Sequence, residues 1–274
     1  MKKAACEVLC FVGGLSFTIE CEVYMKAIYL DCFAGISGNM LLGAFLQGGV
    51  PAEHLRKELS KLQLPDEYEL RVESVNKNGI SAAYVEVLVE GHHAEENDRH
   101  HHHHRTWTDI HKMIEDSSLS ERVKHQSTAI FENLAVAEGK IHDRPKNEVA
   151  FHEVGAVDSI VDIVGAAVCL EYLSIEKVIV SRINTGSGFV KCAHGLMPVP
   201  APATAELLCG FPTYHQGAEK ELTTPTGAAL IHTLASYEEN MPGNFRVERI
   251  AYGAGFWDLA IPNVLRVYFG EMKE

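Results

Sequence analysis

The sequence AIYLDCFAGISGN at residues 27–39 joins a strand pattern to a turn of small residues and the start of a helix. Residues 27–32 form a short, mainly apolar run, which is typical of a buried strand. Residues 40–47 have the composition of an apolar helix, and Gly48 is the residue type preferred after a helix end. A strand that passes through a tight turn into a helix is the basic unit of α/β proteins. We therefore predict an α/β fold of the mixed α+β kind.

The next residues extend this unit. A helix is predicted from Pro51, a favoured residue of a first helical turn, to about residue 62. Residues 68–75 and 82–90 have strand composition, and Asn78-Gly79 between them predicts a hairpin. We predict that residues 25–90 form a strand–loop–helix N-terminal α/β unit.

A polar segment, GHHAEENDRHHHHHR, occupies residues 91–105 and is predicted to be a His-rich loop. Beyond it, apolar residues recur at helical spacing, and a capping box of Ser118 and Glu121 predicts a break between two helices. Strand-like and helix-like segments then alternate, which predicts a second α/β unit over residues 106–274. The predicted helices cover residues 160–172, 203–209 and 227–236, and the predicted strands cover residues 178–183, 246–252 and 263–269.

Composition excludes several classes of protein. The chain has 274 residues, 37 acidic and 24 basic, and its net charge of −13 argues against a general nucleic-acid binder. Hydrophobic residues make up 46%, which is enough for a sizeable folded core. No apolar run is long enough to span a bilayer. The seven cysteines form no CxxC pair and no disulfide framework, so we expect reduced thiols in the cytoplasm.

Residues 1–24 precede a second methionine, Met25, that stands directly before the strand pattern. Lys2 and Lys3 before an apolar stretch resemble a signal peptide only faintly, because Glu7 and Glu20 interrupt or flank that stretch. We expect residues 1–24 to be an upstream extension and Met25 to be the natural start.

The turn after the first predicted strand is a candidate anion site. A strand, a glycine-bearing turn and a helix start gather backbone N–H groups toward a phosphate or carboxylate. Asp31 lies where ligands of α/β proteins bind and is a candidate catalytic residue. The alternative is a tight turn that needs small residues only for packing. The candidate cofactor-binding residues here are Gly35, Ser37, Gly38 and Asn39.

The His-rich loop is a candidate metal-binding segment, because neutral imidazole suits nickel, copper and zinc. The alternative is a merely solvated loop. The candidate ligands are His92, His93, His100, His101, His102, His103 and His104.

A second candidate metal site lies in FHEVGAVDSIVD, residues 151–162. Asp158 and Asp162 are four residues apart and share one face of the predicted helix. Two acids that enter a largely buried helix are costly unless they meet a cation. His152 and Glu153 approach from the preceding loop, so all four are candidate ligands. The alternative for Asp158 is stabilisation of the helix N-terminus.

Further turns are rich in small hydrogen-bond donors. Lys191 is a candidate partner for a phosphate, and His194 is a candidate acid or base. The TTPTG stretch at residues 223–227 opens a helix and places Thr224, Thr226 and Gly227 as candidate cofactor-binding residues. Ordinary turn chemistry is the alternative for each of them.

Taken together, several stretches resemble the LarC family of nickel insertion proteins. They are KAIYLDCFAGISGNMLLGAFLQGGV, the His-rich loop, FHEVGAVDSIVDIVGA, HGLMPVPAPAT, TPTGAAL and YGAGFWDLAIPNVLRVYFGE. The resemblance implies insertion of nickel into pyridinium-3,5-bisthiocarboxylic acid mononucleotide, a lyase-class reaction that makes the nickel-pincer-nucleotide cofactor of lactate racemase. It also implies dependence on CTP and on manganese or magnesium.

Family members continue into a further C-terminal domain that carries the CTP–metal site, and the resemblance covers only their N-terminal portion. It therefore implies either one half of a split enzyme, with a separate C-terminal domain chain as a partner, or a truncated reading of a longer protein, with the bisthiocarboxylate mononucleotide as substrate in both cases. No nucleic-acid or membrane partner is expected, and a homo-oligomer remains open. The alternatives are a non-catalytic nickel-binding module and a metal-dependent phosphate-ester hydrolase that uses the Asp31 turn.

Overall fold

The computed structural model describes residues 7–12, 15–20, 23–64, 68–89, 105–151, 156–192 and 195–273. Within them, seven α-helices and thirteen strands form. The helices are α1 (Gly38–Gln47), α2 (Ala52–Leu59), α3 (Trp107–Asp116), α4 (Glu121–His142), α5 (Val157–Tyr172), α6 (Pro202–Leu207) and α7 (Pro225–Leu234).

The strands alternate with these helices along the chain. Strands β1 to β5 are Glu7–Val12, Leu15–Glu20, Tyr24–Asp31, Tyr68–Lys77 and Ile80–Val89. Strands β6 to β10 are Lys177–Val180, Ile183–Asn184, Phe189–Cys192, Gly195–Pro198 and Thr213–Tyr214. Strands β11 to β13 are Ala235–Tyr237, Phe245–Ala254 and Val264–Lys273.

One seven-stranded sheet, with the order β11-β6-β3-β13-β12-β5-β4, organises the fold. Strands β3, β6 and β11 are parallel, whereas β13 runs antiparallel to both β3 and β12. The hairpin β4–β5 joins through β5, which is parallel to β12. Strands from the two sequence ranges predicted as units, residues 25–90 and 106–274, thus lie side by side in one sheet. The mixed α/β fold class predicted from the sequence is confirmed.

The main hydrophobic core lies between one face of this sheet and the helices. Ile28 and Leu30 of β3 point into it, and Phe45 of α1 meets Phe269 of β13 edge to face at 6.2 Å. Helix α5 is buried along most of its length, which explains why its sequence is apolar on nearly every side. None of the helices in the described part of the chain has the length and apolar character that crossing a bilayer requires.

The second face of the sheet carries two smaller hydrophobic clusters. One is centred on Tyr29 and Ile179, and the other on Ala82, Ala254 and Val264. Among the described residues, neither cluster contains a helical residue. The second face is therefore lined by strand and loop side chains.

The predicted break between two helices is confirmed, but the predicted capping box is wrong. Helix α4 begins two residues after Leu119, and the hydroxyl of Ser120, not of Ser118, accepts the hydrogen bond from Val123 N–H. Leu119 is buried, so the chain turns into the core before the helix starts. A capping box does form at α3, between Thr106 and Asp109.

Helix α1 crosses strand β12 at a backbone contact that only glycine allows. A Cβ atom at Gly253 would lie 1.6 Å from the carbonyl oxygen of Met40. Gly43, one turn further along α1, has the carbonyl oxygen of Ala83 2.3 Å from its Cβ position. These contacts fix the helix on the sheet and thereby set the position of its N-terminus.

We expect Gly253→Ala to lower the free energy of unfolding by about 2–3 kcal/mol, because backbone must shift to admit the methyl group. Chemical denaturation of the purified chain measures this. Gly243→Ala is the matched control, since a Cβ there meets nothing within 4 Å. Its effect should stay within about 0.5 kcal/mol, and equal stability losses in both variants would contradict the packing argument.

Candidate functional site

The candidate site lies where β3 and β6 end and where α1, α5 and α7 begin. Ile36, just before α1, forms a parallel bridge with Thr223, just before α7. Gly227 in the first turn of α7 also packs on the carbonyl of Ile36. Asp162 of α5 packs against Gly38, the first residue of α1. The three helix N-termini therefore meet at one edge of the sheet.

Asn184 holds the loops of this edge together. Its side chain is buried and its amide nitrogen donates to the carbonyls of Phe33 and Gln216, at 2.8 and 2.9 Å. Its amide oxygen accepts from the N–H groups of Gly186 and Gln216, each at 3.2 Å. The hydroxyl of Thr223 donates to the Asn184 carbonyl at 2.9 Å. One amide side chain thus joins three loops that are far apart in sequence.

Two glycines predicted to bind a cofactor are required by packing. Gly35 has φ +77°, and a Cβ there would lie 2.0 Å from the carbonyl oxygen of Leu222. At Gly227 a Cβ would lie 2.2 Å from the carbonyl oxygen of Ile36. The close approach of these backbones explains the small residues in both motifs. Their contact with a cofactor stays a prediction.

The helix N-termini differ in how their amides are satisfied. The Thr224 hydroxyl accepts from Gly227 N–H at 3.2 Å and so caps α7. At α1 the Ser37 hydroxyl makes no capping bond and donates instead to Oδ1 of Asn39 at 2.5 Å. Helix α5 begins after Ala156, which has no capping side chain. Of the three, α1 and α5 therefore start without a cap from their own N-cap side chain.

Asp162 supplies the missing partner at α1. Its carboxylate accepts a hydrogen bond from the backbone N–H of Asn39. Its Oδ1 atom is buried and finds no hydrogen-bond donor among the described residues. Burial, and next the charge of Asp158, raise the pKa of Asp162 well above its ordinary value, while the Asn39 bond opposes the rise. The two acids thus interact on one helix face, as their spacing predicts.

Asp31 is paired with a residue that sequence reasoning missed. Nε and Nη2 of Arg266 both donate to Oδ2 of Asp31, the former at 2.9 Å. Arg266 and Asp31 face each other across the β3–β13 ladder. The signal was an arginine within the apolar run of β13, but its partner depends on strand pairing. A catalytic role for Asp31 remains a prediction, and the pair makes it an anchored carboxylate.

The remaining predicted residues divide into two groups. Lys191 is exposed on the β8–β9 hairpin, and Thr226 is buried in the first turn of α7. Within the described ranges, no three His, Cys, Asp or Glu side chains lie close enough together to hold a metal ion. The other predicted residues fall outside the described residues: His92, His93, His100, His101, His102, His103, His104, His152, Glu153 and His194.

Comparison with known proteins gives a consistent result. Residues 28–274 match the family model described as nickel insertion protein. A pyridinium-3,5-bisthiocarboxylic acid mononucleotide nickel insertion protein of Clostridium kluyveri is 50% identical over 252 residues, which cover 91% of this chain and 63% of that relative. One of the same name from Desulfitobacterium hafniense is 50% identical over 251 residues, with 91% and 60% covered.

A putative nickel insertion protein of Dictyoglomus thermophilum is 44% identical over 250 residues, which cover 91% of this chain and 62% of that relative. The chain therefore spans less than two thirds of the length of these curated relatives. No solved structure matches the chain significantly.

We expect Asn184→Ala to lower the free energy of unfolding by about 3 kcal/mol or more, because it leaves buried carbonyl and amide groups without partners. Chemical denaturation again provides the measurement. Asn240→Ala removes an exposed amide and serves as the control. If both variants unfold at the same denaturant concentration as the unsubstituted chain, the central role of Asn184 is refuted.

The raised pKa of Asp162 predicts a pH-dependent stability. The carboxyl stays protonated in the folded state at pH values where it ionises in the unfolded state, so the contribution of Asp162 to the stability of the unsubstituted chain falls as pH rises above about 4. Asp162→Asn removes this loss, and its stability relative to the unsubstituted chain should increase between pH 4 and the folded-state pKa.

Thermal unfolding at a series of pH values measures this dependence. Asp116→Asn, which changes an exposed aspartate at the end of α3, is the control and should follow the unsubstituted chain. Identical pH profiles for the Asp162 variant and the unsubstituted chain would show that Asp162 ionises normally in the folded protein.

Proposed function

The chain belongs to the nickel insertion protein family, and from this membership we propose that it acts in inserting nickel into pyridinium-3,5-bisthiocarboxylic acid mononucleotide. Nickel and the mononucleotide are then the two substrates. The names of the relatives that cover most of this chain support both. Because the relatives are longer, the activity is proposed for this chain together with the part of the relatives that it does not match.

The observation that carries the proposal is the meeting of three helix N-termini beside two carboxylates. The positive ends of the α1 and α5 helix dipoles suit the anionic phosphate and thiocarboxylate groups of the mononucleotide. One amide of each start is already bonded, the Asn39 N–H to Asp162 and the Ser159 N–H to Asp158. Asp158 and Asp162 at the same edge are suited to a cation. One edge of the sheet thus offers complementary surfaces for both substrates.

Formation of a nickel–carbon bond on the pyridinium ring releases the ring proton, so the reaction needs a base. Asp162 is the described residue best suited to that role. Burial raises its pKa above the ordinary value, so its carboxylate is a stronger base than that of an exposed aspartate. The N–H of Asn39 fixes one side of the carboxylate, and Oδ1 remains without a partner to accept the proton. His194, which lies outside the described residues, is the alternative acceptor.

Nickel capture is assigned in this proposal to the His-rich loop, whose imidazoles suit nickel. His152 and Glu153 would join Asp158 in holding a metal, beside the base Asp162. Asp31, anchored by Arg266, and Lys191 would face the mononucleotide together with residues 35–39 and 224–227. These roles follow from residue chemistry and from the position of each motif in the chain.

Several finer features complete the proposal. Manganese or magnesium would be held by Asp158, whose exposed carboxylate suits a hard cation and leaves Oδ1 of Asp162 free to accept the proton. We assign the CTP requirement to the further domain and derive no step from it. The product would serve maturation of lactate racemase, the reaction would be of the lyase class, and the setting would be the cytoplasm. Assembly into a homo-oligomer remains open.

The test is nickel incorporation into the bisthiocarboxylate mononucleotide, followed by mass spectrometry with CTP and manganese present. The chain is assayed alone and with the unmatched part of the Clostridium kluyveri relative added. Activity in either mixture supports the proposal. The proposal is contradicted if neither mixture incorporates nickel although the added part is folded and the complete relative is active in the same assay.

In the active mixture, we expect Asp162→Ala to slow incorporation about 100-fold or more, as loss of a general base does. Asp116→Asn should leave the rate unchanged. Deletion of residues 91–105 should lower incorporation at limiting nickel but not at saturating nickel. A different result would identify a non-catalytic nickel-binding module: neither the unsubstituted chain nor any variant shows turnover in any mixture, and the deletion abolishes most nickel binding.

A further inference from the structure

Two arginines at the carboxyl edge of the sheet lie against aromatic rings on either side of Asp31. The guanidinium carbon of Arg266 is 5.4 Å from the ring centre of Tyr268 and 5.5 Å from that of Phe33. The guanidinium carbon of Arg182, two residues after β6, is 5.2 Å from the ring centre of Tyr214. Because aromatic faces hold a guanidinium group in place, both cations are positioned in advance of any ligand.

The charges of this group do not cancel. Nε and Nη2 of Arg266 both donate hydrogen bonds to one oxygen of Asp31, and the Arg266 side chain remains 36% exposed. Within the described part of the chain, Arg182 is exposed and takes part in no ion pair. One carboxylate therefore stands between two arginines, which leaves a net positive surface on a strongly acidic protein. Such a surface favours an anionic ligand.

Two tyrosines, Tyr214 and Tyr29, lie within the electrostatic influence of Asp31 at this surface. Burial, and then the charge of Asp31, raise the pKa of the Tyr214 hydroxyl, whereas Arg182 lowers it, so Tyr214 lies within electrostatic reach of both. Burial, followed by Asp31, also raises the pKa of Tyr29 to about 12. Both hydroxyls therefore stay protonated at neutral pH and can donate hydrogen bonds to an anion.

We propose that Arg182 and Arg266, with the rings of Phe33, Tyr214 and Tyr268, form a binding site for a planar pyridinium ligand that carries carboxylate-type and phosphate groups. Guanidinium groups bind carboxylate and phosphate oxygens in pairs, and the aromatic rings offer faces and edges to a planar ring. Asp31 lies between the arginines, where it attracts a cationic ring nitrogen. The choice of a pyridinium mononucleotide rests on the proposed function.

This site lies on the helix-free side of the sheet edge described above. Asp31 ends β3, and the backbone N–H of its neighbour Cys32 donates a hydrogen bond at 2.9 Å to the hydroxyl oxygen of Ser181, one residue before Arg182. The two arginines therefore lie at or directly beside strand ends that the sheet holds next to each other. This site and the starts of α1, α5 and α7 lie at the same edge of the sheet.

The test uses nicotinic acid mononucleotide, a stable pyridinium mononucleotide with one carboxylate, and isothermal titration calorimetry on the intact chain. We expect Arg182→Gln and Arg266→Gln each to weaken binding about tenfold or more, because each loses a charge-assisted hydrogen-bond donor. The matched control is Arg246→Gln. Arg246 also pairs with a carboxylate, Glu271, and its guanidinium carbon lies 5.9 Å from the ring centre of Tyr24, at the opposite end of the sheet.

Arg182→Gln keeps the test decisive if the loss of Arg266 disturbs folding, because Arg182 is exposed and unpaired within the described part of the chain. The proposal is overturned if Arg182→Gln binds the probe as tightly as the unsubstituted chain, or if the unsubstituted chain shows no binding at ~1 mM probe. Equal weakening by Arg246→Gln would overturn it too, since the effect would then be one of overall charge.

Failure of this inference can be separated from failure of the proposed function. Nickel incorporation that proceeds normally in Arg182→Gln, with unchanged KM for the mononucleotide, retains the function and refutes this site. Probe binding that depends on both arginines, together with no nickel incorporation in any mixture, retains the site and refutes the function.

Discussion

The turn after β3 lies directly on the backbone that precedes α7, and the rest of the edge is arranged around this contact. At Gly35 the neighbouring carbonyl of Leu222 occupies the place of a side chain, and at Gly227 the carbonyl of Ile36 does the same. Asn184 then completes the hydrogen bonds that such closely packed loops would otherwise lack. Buried loop backbone needs partners of this kind, because unpaired amides and carbonyls are costly away from water.

Electrostatic features are added to this packed frame at a cost in stability. Asp162 is placed where burial and Asp158 both oppose its ionisation, and one of its oxygens has no donor within the described residues. A purely structural helix cap needs neither feature, since a half-buried serine caps α4 and a half-buried threonine caps α7 in the same protein. Groups held in unfavourable ionisation states are frequent at functional sites. This contrast is the physical ground for placing the reaction beside Asp162.

Local patterns in the sequence predicted most helices and strands, because caps, turns and apolar spacing act over a few residues. The strand–turn–helix unit at residues 27–47 is an example, and so is the shared face of Asp158 and Asp162. The partner of Asp31 could not be predicted in this way, since Arg266 is 235 residues away and meets it only through the β3–β13 register. The same holds for Asn184, whose bonds reach loops on both sides in sequence. Local reasoning found the motifs, and long-range pairing determined which of them meet.

The position of β13 in the sheet has a consequence for how the chain folds during synthesis. This strand comes from residues 264–273, yet it lies between β3 and β12 and bonds to both. Until the ribosome has released it, β3 lacks a neighbour on one side and the β12–β5–β4 half of the sheet has no hydrogen-bonded link to the β11–β6–β3 half. Unpaired strand edges of this kind favour pairing with other chains. In the nascent protein β3 therefore lacks this neighbour while the chain between Asp31 and Arg266, which are 235 positions apart, is made, and chaperones that shield exposed strand edges would act during that interval.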